Sequence, residues 1–181
     1  LPNKIKESIE TITLLEKTNP NTPILIHSDL RIINKNEQII HDSLWQYAGI
    51  KPEILNCNPK YMAFCNSVTG CTILMNKQCK SEVLPFPNNI VMHDAWIALK
   101  ICQIGIVHHI NKQLILYRQH DNNTLGINKY KFSIADRIKK LKTTYINTIE
   151  VYKHYSFIFN NKLDFWIHKI KYLFKHIGGN L

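Results

Sequence analysis

No stretch of this 181-residue chain approaches the ~20 uncharged apolar residues that a bilayer-spanning helix needs. Nor does a charged segment lead into a compact apolar one, as a secretory leader would require. Paired cysteine motifs are also missing. The five cysteines, Cys57, Cys65, Cys71, Cys79 and Cys102, are odd in number and never spaced as CxxC. That argues against a disulfide framework and, since nothing spaces four ligands properly, against a zinc site, and leaves reduced, mostly buried thiols as the expectation. Internal repeats and low-complexity segments are absent too. Acidic residues are scarce in one region above all. From Asn128 to Leu181 there are 11 Lys/Arg against 3 Asp/Glu, so +8 of the net +10 falls in this last third.

What is present is an ordinary globular composition, 45% hydrophobic, in a chain long enough for one real core. "LPNKIKESIETITLLEK" has the helical repeat, carried by Ile5, Ile9 and Ile12, with Pro2 in a first turn. "ILIHSD", Ile24 to Asp29, reads as a buried strand. "RIINKNEQII" reads as a hairpin around Asn34–Asn36, and "HDSLWQYAG" as a helical turn closed by Gly49. "KPEILNCNP" reads as a loop and "KYMAFCNSV" as a weak helix. After the break at Thr69–Gly70, Thr72 to Asn76 reads as a strand, then "QCKSEVL" as a short helix and "PFPNN" as a loop.

"HDAWIALKICQIG" reads as a helix with Gly105 as its end cap. "IVHHI" and "QLILYR" read as two strands joined near Asn111–Lys112, and "QHDNNTLG" as a polar loop. Ser133 to Tyr155 and Lys162 to Ile177 read as two long helices separated by Asn160–Asn161. Strands mixed with helices, and polar groups at strand ends, imply a layered α/β domain over 1–127. A basic helical extension follows over 128–181. Ligands in such folds sit where strands end, which points to Asp29, Gly70 and the loop after Arg118.

Asp94, in "MHDAW", is the first chemical candidate. It can be a capping or first-turn carboxylate favoured by the helix dipole. It can also be a general base at the lip of a pocket, partly desolvated by Trp96; the two roles are compatible. His120 reads as a surface-loop histidine, or as a metal ligand or phosphate partner. Arg118, at a strand end, can pair with a phosphate or with a carboxylate. Thr69–Gly70 is a turn that would also let backbone approach a ligand. Ser28–Asp29 ends a strand, where it can cap the next turn or hold a metal. His108 and His109 are expected on opposite faces of their strand, as structural residues.

Taken in order, three blocks carry a resemblance: "ILIHSDLRIINKNEQIIHDSLW", "NSVTGCTILMNKQ" and "MHDAWIALKICQIGIVHHINKQLILYRQHDNNTLG". Over about Leu1 to Gly126 the chain resembles the second half of a family 2 glycosyltransferase. It is nearest the rhamnosyltransferase-like enzymes of bacterial cell-surface polysaccharide synthesis. The resemblance implies a GT-A fold, a nucleotide-binding α/β sandwich, of which this would be the acceptor-side part. Asp94 matches the catalytic base. Thr69, Gly70 and Cys71 match the segment lining the acceptor side, with Trp96 shaping the site. His120 matches a late histidine that helps hold metal or diphosphate. Tyr117, Arg118 and Asn123 match the surrounding motif, Arg118 as a phosphate partner.

The family's donor half, with its DxD-type cluster, is expected to precede "LPNKI", and without it a nucleotide-sugar is not expected to bind properly. The implied reaction is inverting sugar transfer from a nucleotide-sugar to a glycan or lipid-linked acceptor, with Mg²⁺ or Mn²⁺ neutralising the leaving diphosphate. The implied place is the cytoplasm, or the inner face of the plasma membrane as a peripheral protein.

Two rival classes remain. One is a nucleic-acid-binding module argued from charge, though no recognised module or stacking platform accompanies it, so no nucleic-acid partner is expected. The other is a non-catalytic interaction fragment. The last helix has two readings of its own. Trp166, Ile170, Leu173, Phe174 and Ile177 share one face, and Lys162, Lys169, Lys171, Lys175 and His176 lie mainly off it. It either packs that face on its own domain or, over 160–181, lies on an anionic membrane.

Overall fold

In the computed structural model the described residues are 1–88, 90, 92–119 and 148–177. They fall into two compact units, one spanning Leu1–Gln119 and the other belonging to His120–Leu181. The boundary expected at 127/128 lies outside the described residues.

The first unit is a mixed α/β layer built on an open four-stranded sheet. Helix α1 (Lys4–Thr18) leads into the central strand β1 (Ile24–Ile33). Strand β2 (Ile39–His41) returns antiparallel to the end of β1, with Ile33 opposite Ile39. Three short helices follow, α2 (Leu44–Ala48), α3 (Pro52–Leu55) and α4 (Pro59–Met62). Strand β3 (Leu74–Met75) then pairs antiparallel with Ile26 and Leu25. Helices α5 (Gln78–Val83) and α6 (His93–Ile104) lead to β4 (Ile106–Arg118). β4 runs parallel to β1 along its whole length, from Ile24↔Ile106 to Ile33↔Arg118. β3 and β2 therefore share the other edge of β1, one near each end.

β1 is buried along nearly all of its length, as a strand covered on both faces must be. Its alternation divides the core. Ile24 and Ile26 pack with Ile12 of α1, flanked by Leu15, Leu74, Ile106 and Ile110. His27 faces the other way, toward Trp45 and Asn56. α1 buries Ser8 and Ile12, while Ile5 and Ile9 are more than half exposed. The stripe expected through Ile5, Ile9 and Ile12 is thus rotated; Lys4, Ser8, Ile12 and Leu15 form the inward side.

"IVHHINKQLILYR" is one strand rather than two. Register slips on both sides of Asp29, whose partner is Gln113 while Ser28 faces Ile110. The slack of these bulges absorbs Asn111 and Lys112, so polar residues that look like a turn bow out of an unbroken ladder. "KPEILNCNP" contains α3 rather than a bare loop, started by Pro52 in the first turn, where a missing N–H costs nothing. Ser43 caps α2 by accepting from Gln46 N at 3.0 Å, and Gly49 ends it with φ of 66°.

Gly105 ends α6 for a different reason from the one expected. Its φ of −150° is extended backbone, so no left-handed cap is formed. A Cβ there would instead overlap the carbonyl oxygen of Pro23, which accepts from Ile106 N at 2.9 Å. Backbone meets backbone at this point, and neither side can swing away. Gly105→Ala is expected to cost about 1–3 kcal/mol of stability, the ordinary range for overpacking, seen as a lower urea unfolding midpoint. Gly70→Ala should do much less, because its Cβ would press mainly on the exposed His93 ring.

In the second unit a helix over 148–155, here α7, precedes α8 (Lys162–Ile177). Phe165, 1% exposed, sits against the rings of Tyr152 and Phe159, each at 5.0 Å. α8 starts with a reciprocal cap: Asp164 N donates to Asn161 Oδ1 and Asn160 N to Asp164 Oδ2, both at 2.9 Å. Among the described residues, no helix is long and apolar enough to cross a membrane.

Candidate functional site

α6 begins at His93, and its N-cap, Met92, offers no side-chain bond. Asp94 is therefore the second helical residue, and it performs the capping that Met92 cannot. Its Oδ1 accepts from Ala95 N at 2.7 Å, a favourable place for a carboxylate near the positive end of the helix. Its Oδ2 accepts from Gly70 N at 3.0 Å, across 24 residues. Asp94 is only 6% exposed, but its immediate neighbours His93 and Cys71 are exposed, so the carboxylate lies just under the surface. Each of its oxygens accepts one N–H and keeps acceptor capacity beyond it.

Gly70 opens a 3-10 turn, Gly70–Thr72, closed by Thr72 Oγ1 on the Thr69 carbonyl at 2.6 Å. Lys4 of α1 reaches over the same turn and donates to the Cys71 carbonyl at 2.8 Å. Three segments far apart in sequence thus meet at one place: the α1 start, Thr69–Cys71 and the α6 start. The Cys71 thiol is pushed up by desolvation, against the pull of Lys4. The other thiols differ from expectation, because only Cys79 is fully buried and Cys57, like Cys71, is exposed. All five are free. Desolvation raises Cys79 to about 11 and Cys102 to about 12, so neither is a ready nucleophile.

Trp96 is two residues beyond Asp94, roughly 200° further round the helix. Its indole N–H donates to the Val83 carbonyl at 3.2 Å, which ties α6 to the end of α5, and Lys100 Nζ lies 5.6 Å above its ring. Arg118, at the end of β4, donates to the Lys35 carbonyl at 3.0 Å and to Glu37 Oε1 at 2.8 Å. It clasps the hairpin turn, which favours the carboxylate-partner alternative at this position. His120 and Asn123 lie outside the described residues.

Among the described residues, no group of three or more His, Cys, Asp or Glu side chains is placed to hold an ion. Asp29 in particular is engaged throughout. Its Oδ1 accepts from Leu30 N (2.8 Å) and Trp45 N (3.2 Å), and its Oδ2 from Ser43 Oγ (2.5 Å) and Gln113 Nε2 (3.1 Å). It organises the start of α2.

One polar cluster is not evident from any motif. His27 on β1 and His109 on β4 are register partners, 6.4 Å apart between ring centroids. Asn56 Nδ2 lies 3.0 Å from His27 Nε2 and 3.5 Å from His109 Nδ1, and Ser67 Oγ donates to Asn56 Oδ1 at 2.6 Å. His108 and His109 are the register partners of Ile26 and His27, which face opposite sides of the sheet, as expected of alternating residues, and their rings lie 6.0 Å apart. Burial, then neighbouring His109, lowers His27 from 6.5 to about 3.

An unfolded histidine binds a proton below about pH 6.5, whereas folded His27 stays neutral until about pH 3. Its contribution to stability is complete above pH 6.5 and is lost progressively as the pH falls toward 3, by at most about 1.4 kcal/mol per pH unit. His27→Gln should flatten the dependence of the urea midpoint on pH between these limits by up to one proton. An unchanged slope would assign the acid sensitivity to other groups.

Comparison with protein-family models, with curated proteins and with solved structures finds no match to this chain.

Proposed function

We propose that this chain is the acceptor-side part of an inverting glycosyltransferase of GT-A type, with Asp94 as its general base. One observation carries the reading: the 3.0 Å bond from Gly70 N–H to Asp94 Oδ2. It joins the two segments that the resemblance assigns to acceptor lining and to base. A carboxylate held by two backbone N–H groups on a rigid helix start is oriented in advance, which is what a proton acceptor requires.

In the proposed step an acceptor hydroxyl oxygen attacks the anomeric carbon from the face opposite the nucleotide. The new C–O bond forms as the bond to the diphosphate oxygen breaks, and its electron pair leaves with the nucleotide. The hydroxyl proton passes to Asp94. A diphosphate leaving group needs no second carboxylic acid to protonate it, in contrast to the paired carboxylates of glycosidases. Thr69, Gly70 and Cys71 form the adjoining wall on the acceptor side.

The test is transfer by the full-length protein, incubated with a panel of radiolabelled nucleotide-sugars and a bacterial lipid extract. Label entering the lipid or glycan fraction, with release of nucleoside diphosphate, is the expected result. Absence of transfer from every donor would overturn the reading.

A further inference from the structure

α8 carries two apolar faces, one buried and one exposed. Phe165 and Tyr172 are buried, with Asp164, His168 and Lys169 half-buried beside them. Asp164 pairs with His168 Nδ1 at 2.8 Å on this inner side. The opposite side is lined by Leu163, Trp166, Ile167, Ile170, Leu173 and Phe174, which are 41–75% exposed. At 3.6 residues per turn these six occupy one unbroken arc about 120° wide, with no polar residue inside it. This is the face that reads either as packing on its own domain or as lying on an anionic membrane.

The edges of this arc indicate its partner. Exposed Lys162 borders it beside Leu173, and exposed Lys171 borders it beyond Ile167. The helix has four lysines against the single Asp164, which is turned inward, and the last third of the chain carries +8. A protein partner of matched apolar shape would not need cations along both rims. A bilayer surface with anionic headgroups uses both features at once: side chains such as Trp166 and Phe174 enter the acyl boundary while the lysines stay level with the phosphates. The helix is suited to lie in such an interface and not to cross it.

We infer that α8 is an interfacial anchor that seats the protein on anionic membranes through the Leu163–Phe174 stripe. This goes beyond the proposed reaction and stands whether or not Asp94 is a base, since its test involves no sugar transfer.

The experiment is co-sedimentation of the whole chain with vesicles of phosphatidylcholine alone and of an equal mixture with phosphatidylglycerol. Binding should favour the anionic vesicles and weaken as salt is raised. Trp166 emission should shift to the blue on binding, a shift that Trp166→Phe removes. Ile170→Glu with Phe174→Glu should weaken binding by about tenfold or more, because two side chains no longer enter the apolar layer. Lys162→Glu with Lys171→Glu, which leaves the stripe intact, should abolish the preference for anionic lipid. Far-UV circular dichroism of both pairs should match the parent.

Equal binding to both vesicle types, or unchanged binding by the Glu pair in the stripe, would overturn the inference. So would a parent chain that dimerises and ignores vesicles, with the stripe variant monomeric, because the stripe would then be a self-association face.

Discussion

Asp29→Ala is expected to destabilise the first unit by on the order of 4 kcal/mol, a large part of the roughly 5–15 kcal/mol that holds a typical domain folded. The carboxylate is 2% exposed and receives four donors: two backbone N–H groups, the Ser43 hydroxyl and the Gln113 amide. Removing it strands those donors away from water, at about 1–3 kcal/mol for each that finds no new partner. Damage should spread along one route. Ser43 is the cap of α2 and is itself held by Asp29, so α2 loses its N-terminal anchor, and Trp45, packed edge-on against His27 at 5.5 Å, loosens with it. Asp29→Asn should cost less, because the amide oxygen still accepts while its NH₂ confronts donors. Urea unfolding measures the total, and amide exchange at Trp45 shows where it is felt. A change below about 1 kcal/mol would mean that Asp29 does not organise this region.

Elements with a strong local period were legible in the sequence. α8 falls on the expected Lys162–Ile177, and the Asn34–Asn36 turn joins β1 to β2 as read. The break in reading came where distant contacts decide. Asn111–Lys112 looks like a turn, but pairing with β1 continues past it because the bulges at Asp29 take up the extra residues. Ile5 and Ile9 match a helical stripe as well as Ser8 and Ile12 do, and only the position of β1 selects between them. Gly105 reads as an end cap in the sequence, but its cause is Pro23, which lies 82 residues earlier.

The candidate site divides in the same way. Asp94 stands out locally as a carboxylate in a first helical turn. Nothing in the spacing of residues 70 and 94 says that they touch; only the resemblance placed them on one site. The His27–Asn56–His109 cluster had no signal beyond two histidines in apolar strands, since it depends on the parallel register of β1 and β4.

Asp94→Asn isolates the chemistry. Asn keeps nearly the same volume and an oxygen for one of the two N–H donors, while its NH₂ confronts the other, so a loss of about 1–3 kcal/mol of stability is expected and transfer is compared where both proteins are folded. What it loses is the capacity to take a proton. A positioned base contributes about 10²–10⁴-fold to rate, and transfer should fall by that factor while donor binding changes little. The decisive measurement is therefore the transfer rate of the full-length Asp94→Asn protein beside its parent, on the same nucleotide-sugar and the same lipid extract. A loss of about 10²-fold or more in a folded, donor-binding variant is the expected result. Near-normal transfer would contradict Asp94 as the base.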